Sequence, residues 1–138
     1  MTMRNGLRQT TLALVGAFAL AAPLTTSAVH AAGLPDLTPT SLTVALSPRN
    51  GGCRADIRAI IANIGTQAAP AYSTQFTVDG VAYTVAILEG TDPGKTSKPG
   101  ITPEVDFGPH TVTVSADSAN QVAESNELNN SLSASFTC

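Results

Sequence analysis

Apolar and polar positions alternate strictly through most of this chain. From Cys53 to Ile61 the odd positions are Cys53, Ala55, Ile57, Ala59 and Ile61, while the even ones begin Arg54, Asp56, Arg58. Successive strand side chains point to opposite faces, so the pattern predicts a strand with one buried and one charged face. Leu42, Val44 and Leu46 predict an earlier strand that ends at Pro48 and the Asn50-Gly51-Gly52 turn. Thr74, Phe76 and Val78 alternate with Gln75, Thr77 and Asp79, and Asp79-Gly80 is a two-residue hairpin signal. Val81, Tyr83, Val85 and Ile87 carry the alternation back. His110, Val112, Val114 and Ala116 predict a further strand, and Leu132, Ala134, Phe136 and Cys138 predict the last. Between Glu89 and Pro109 the alternation fails, because four prolines and four glycines interrupt it. Proline brings no N–H to a ladder, so one irregular strand near residues 102–107 is expected there. No segment beyond the leader has a helical stripe. About seven strands with turns between them predict an all-β fold, an immunoglobulin-like sandwich of two antiparallel sheets.

The first residues read differently. Arg4 and Arg8 precede an apolar run from Leu12 to Leu24, and Val29-His30-Ala31 supplies small residues at a cleavage site. This is the pattern of a secretory signal peptide, residues 1–31, and it predicts an exported chain, periplasmic or extracellular. A membrane-spanning helix needs roughly 20 apolar residues, more than this run holds. Residues 32–138 are then a single domain. Within them Arg49, Arg54, Arg58, Lys95 and Lys98 stand against ten acids. So acidic a balance argues against nucleic acid, whose phosphates need a basic footprint, and against anionic lipid.

Cys53 opens the second predicted strand and Cys138 ends the last, both on the apolar side. In a seven-strand immunoglobulin-like path these positions lie at the same end of the sandwich. Export favours oxidation, so a structural disulfide between the sheets is expected. The alternatives are two reactive thiols or a metal site, although two sulfurs and one His leave a tetrahedral zinc shell incomplete.

Several segments together form a recognisable series: Pro35-Asp36-Leu37, then Asn63-Ile64-Gly65-Thr66 after the second strand, Val78-Asp79-Gly80, Gly108-Pro109-His110, and the run Asp117 to Asn130 with Glu124-Ser125-Asn126-Glu127 at its centre. The series resembles the CARDB module, the cell-adhesion-related domain found in bacteria, from about Pro35 to Cys138. The resemblance implies a seven-strand immunoglobulin-like sandwich on an exported or surface protein, with a role in adhesion or ligand binding. It brings no defined ligand-binding residues.

Candidate sites follow from the residues themselves. Asp117, Glu124 and Glu127 crowd one connection together with Asn126, Asn129 and Asn130. Oxygen ligands at this density suit calcium. The same side chains also suit backbone N–H groups in turns, which is the preferred reading because the spacing departs from the calcium-loop pattern. Asn63 and Gly65 are read as turn residues, Gly65 with a positive φ. His110 has no Gly-x-Ser-x-Gly partner and is read as a packed structural histidine, so no catalytic residue and no cofactor is assigned. Lys95 and Lys98 mark the Pro/Gly-rich segment 89–109 as a candidate recognition loop. The expected function is an exported, non-catalytic binding or adhesion module that recognises a protein or cell-surface partner through end loops or an edge strand. A structural assembly protein of the envelope is the alternative, and a small secreted hydrolase is the third reading.

Overall fold

The computed structural model describes residues 33–138; the expected leader lies outside the described residues. Nine strands form in chain order: β1 (Leu37–Arg49), β2 (Gly52–Asn63), β3 (Tyr72–Val78), β4 (Val81–Ile87), β5 (Thr96–Ser97), β6 (Gly100–Ile101), β7 (Glu104–Asp106), β8 (Pro109–Ser115) and β9 (Ser131–Thr137). One sheet holds β1 and β2, with β5, β6 and β7 in series along the far edge of β2. The other runs β4-β3-β8-β9. All pairings are antiparallel.

The period-two pattern sets what lies between the layers. Ala55, Ile57 and Ala59 of β2 meet Phe76 and Val78 of β3 and Val112 and Val114 of β8. Toward one end Leu37, Ile61, Ala69, Tyr72, Ala116 and Val122 make a second apolar cluster. Each large side chain of this kind stabilises the fold by about 1.5–3 kcal/mol when fully buried. Apart from Pro109 at the start of β8, the outward positions of the four-stranded sheet are Ala, Ser, Thr and Gln, for example Ser73, Gln75 and Thr77 on β3. Hydroxyls there pair across strands, Thr113 with Ser133 at 2.7 Å and Ser115 with Ser131 at 3.0 Å.

Two expectations need correction. The first strand begins at Leu37, before Leu42, and its register shifts between Pro39 and Ser41, where proline can make no ladder bond. The Pro/Gly-rich segment is a sheet edge from Thr96 to Asp106, broken into three short strands, in place of one strand within a long loop. Its pairing runs on carbonyls spaced four apart. Asn63 N–H donates to Lys95 O at 3.1 Å, Ala59 N–H to Pro99 O at 3.0 Å and Ala55 N–H to Pro103 O at 2.9 Å. Both prolines thus sit where β2 needs an acceptor.

Cys53 and Cys138 are joined as a disulfide with a Cα–Cα separation of 5.7 Å. The bond links the two sheets at one end, and β1 lies against β9 along the adjoining side.

Candidate functional site

Three of the segments singled out in the sequence, around Asp36, Asn63 and Glu124, converge at the end opposite the disulfide, where they hydrogen-bond to one another. Asn63 is fully buried and its amide is saturated. Its Oδ1 accepts from Asp36 N–H and Gly65 N–H, each at 3.1 Å, and its Nδ2 donates to Gln67 O at 2.7 Å and Thr91 O at 2.8 Å. The Asp36 carboxylate accepts from Ser125 Oγ at 3.1 Å and Asn129 Nδ2 at 2.7 Å. Gly65 is needed for close approach, not for a positive φ: a Cβ there would lie 2.3 Å from Leu34 O, and Gly65 is absent from the positive-φ residues of the described chain.

The three candidate calcium ligands point to backbone and amide donors. Asp117, itself at φ 43°, accepts from Gln121 N–H and Val122 N–H, both at 2.8 Å. Glu124 is buried; one oxygen accepts from Leu37 N–H and the other from Asn130 Nδ2 at 2.9 Å. Glu127 accepts from Glu124 N–H at 2.9 Å. Asn126 accepts from Leu128 N–H at 3.0 Å. Burial holds the Glu124 carboxyl above the usual carboxylate range, although its two hydrogen bonds oppose the shift. Among the described residues no group of three His, Cys, Asp or Glu side chains comes together as a metal-binding set.

The other end is organised by His110. Its Nδ1 lies 2.5 Å from Asp79 Oδ2 and its Nε2 lies 2.8 Å from Asp106 O. Both partners are acceptors, and a neutral imidazole has only one N–H, so the geometry calls for the doubly protonated ring. The hydrogen bond to Asp79, then that to the Asp106 carbonyl, raises the His110 pKa; the same contact with His110 is the main cause lowering that of Asp79. Phe136 stacks on the ring at 5.2 Å. Both ring nitrogens thus already face acceptors within the domain.

Between these braced ends, the four sheet edges differ. β1 carries Pro39, Pro48 and a register shift, and β5–β7 are broken at Pro99 and Pro103. β9 runs beside β1, and past its end Cys138 exchanges backbone bonds with Gly108. β4 has no proline, no charge and no bulge over its seven residues, Val-Ala-Tyr-Thr-Val-Ala-Ile. Among the described residues, no strand of the other sheet lies along it as β1 lies along β9. Its core-facing row is accordingly incompletely covered: Val81 is 56 % exposed, and Tyr83, Val85 and Ile87 are half-buried. A shallow depression beside it is lined by Val81, Tyr83, Glu104 and Val105. Asp79 at φ 48° and Gly80 at φ 87° make the type I′ turn of a two-residue hairpin. Val81, Tyr83, Val85 and Ile87 therefore bond toward β3, and the backbone groups of Ala82, Thr84 and Ala86 point outward.

The family model for CARDB matches residues 34–134. This chain belongs to the CARDB family. Among solved structures it is similar to the 272–376 domain of a Methanosarcina acetivorans protein named for the cell surface, at 29% identity and TM-score 0.64, over 75% of this chain and 91% of that one. It is also similar to the CARDB domain of a Pyrococcus furiosus protein, solved in complex with di-metal ions, at 22% identity and TM-score 0.57, over 75% and 93% of the two chains. The second likeness carries the fold alone. No curated protein matches the sequence.

In this CARDB domain the structure gathers Asn63, Gly65, Asp117, Glu124, Glu127 and Asn129 at one end, touches that end with the Lys95 backbone, and leaves Lys98 apart. The Lys95 carbonyl serves β2, and Lys98 borders a shallow depression with Arg58 on the outer face of the five-stranded sheet. Sequence reasoning missed the Asp79–His110 contact, whose partners lie 31 residues apart. The Asp-Gly turn before β4 and the Gly-Pro-His start of β8 were the only signals, and neither specifies the pairing.

Proposed function

We propose that this CARDB chain is an exported recognition module without catalytic chemistry, and that it accepts an extended segment of a protein or cell-surface partner along β4. The observation that carries the reading is the contrast among the edges: among the described residues, β4 alone is an edge that is neither interrupted by proline nor lined by a strand of the other sheet. Unpaired backbone groups on such an edge template a further strand, and the half-buried row beside them gives the added strand apolar side chains to cover. Engagement of both His110 nitrogens and of the carboxylates at the far end supports a role outside catalysis. An envelope assembly role would use the same edge.

Panning a library of displayed short peptides against the chain tests the reading. Recovered peptides should alternate apolar and small polar residues, and should bind Thr84→Lys at least about tenfold more weakly, roughly 1.4 kcal/mol. Peptides indifferent to Thr84→Lys but sensitive to Lys95→Ala or Lys98→Ala would move recognition to the other sheet and end the edge reading.

A further inference from the structure

We infer that the occupant of the β4 edge is a second copy of this chain, added antiparallel about a two-fold axis at Thr84. The inference rests on the edge reading above and names its partner.

A two-fold contact requires a surface complementary to itself, so that whatever residue i meets on the partner, the partner's residue meets on i. With the axis at Thr84, Ala82 faces Ala86 of the other copy, Tyr83 faces Val85 and Val81 faces Ile87. The small side chains meet on the outer face and the larger ones on the inner face. The backbone agrees with this register. The residues whose N–H and C=O point outward are Ala82, Thr84 and Ala86, and these are the ones the axis brings opposite one another. Every outward donor on the strand then meets an outward acceptor. Centring the axis on Ala82 or Ala86 would leave part of the strand unpaired.

Electrostatics favours the same contact. The chain is acidic overall, so two copies repel in general, yet β4 carries no ionisable side chain except the half-buried Tyr83. The arginines and lysines of the described chain, Arg49, Arg54, Arg58, Lys95 and Lys98, all lie on the β1-β2-β5-β6-β7 side. Asp79 and Glu89 bound the strip at its two ends and approach one another in the pair. Asp79 already holds the His110 ring, which limits the repulsion. Added salt screens what remains, so the association tightens as ionic strength rises. The joined sheet has eight strands, and apart from Pro109 its outer face carries only Ala, Ser, Thr and Gln at the strand positions.

Sedimentation velocity on the purified chain over a wide concentration range tests this. The expected result is a monomer–dimer equilibrium that shifts toward dimer with added sodium chloride, with slowed amide exchange at Ala82, Thr84 and Ala86 in the dimer. Thr84→Lys should weaken dimerisation by at least about tenfold, and Thr84→Pro should abolish it. Thr84 N–H points away from β3, so proline there costs no ladder bond; if Thr84→Pro does not fold, Thr84→Lys carries the test alone. Ser133→Lys, on the outer face of β9, should leave the dimer unchanged. A chain that stays monomeric at all concentrations overturns the inference, as does a dimer indifferent to both Thr84 variants. If that monomer still binds displayed peptides in a Thr84-dependent way, the edge reading stands and only the second copy is removed. If it binds neither, both fall.

Discussion

Single side chains at the two ends of this CARDB domain act as fasteners, and their chemistry decides how the fold responds to pH and substitution. His110 donates from both nitrogens, so its protonated form is the one the fold prefers. Its folded pKa lies above the ordinary 6.5. The stability it contributes is therefore complete below about pH 6.5 and is lost as pH rises through the folded value. Asp79 is shifted the other way, below 3.8, so its contribution is present above that value and lost as pH falls through the folded one. Thermal melting across pH should show the pair at full strength between these limits and a decline on the alkaline side. His110→Asn should remove that decline. At the far end both oxygens of Glu124 accept from N–H donors. An amide offers one acceptor and turns an N–H₂ toward the other donor. Glu124→Gln should therefore cost about 1–3 kcal/mol in denaturant unfolding. EDTA should leave the melting midpoint of the unmodified chain unchanged, because the donors already answer these carboxylates. A fall in midpoint with EDTA would instead mark the cluster as a calcium site.

At the scale of elements, the sequence was legible wherever one face is buried and the other wet. β2, β3 and β8 follow their alternation residue by residue, and Asp79-Gly80 makes the hairpin it announces. β5–β7 were only partly legible. Proline and glycine erase side-chain alternation there, and the pairing is written in carbonyls four residues apart, which no side-chain pattern records. The run Asp117 to Asn130 was legible as a turn structure because Asn and Asp serve nearby N–H groups locally. Its anchoring to Asp36 and Leu37 was not legible, since those partners are close to ninety residues away. The alternation of β4 was plain, but whether an alternating strand is central or an edge depends on which neighbours topology gives it. That is why the candidate site emerged only with the sheet order.

For the molecule as a whole, the disulfide does more than join two sheets. Cys53 and Cys138 are 85 positions apart, so the bond encloses every strand from β3 to β9 and nearly all of β2. In the chain-entropy model, closing so long a span stabilises the fold by roughly 4–5 kcal/mol. A mechanical consequence follows for a module held between two attachment points. Tension applied at residue 33 and at Cys138 would pass along β1 and across the sulfur bridge without loading the rest of the sandwich. In single-molecule stretching, the oxidised domain should lengthen by at most about 70 Å as β1 peels away, and the reduced one by more than about 300 Å. The bridge thus works as a mechanical bypass, and the four-stranded sheet that bears β4 would keep its shape under loads that strip off the first strand.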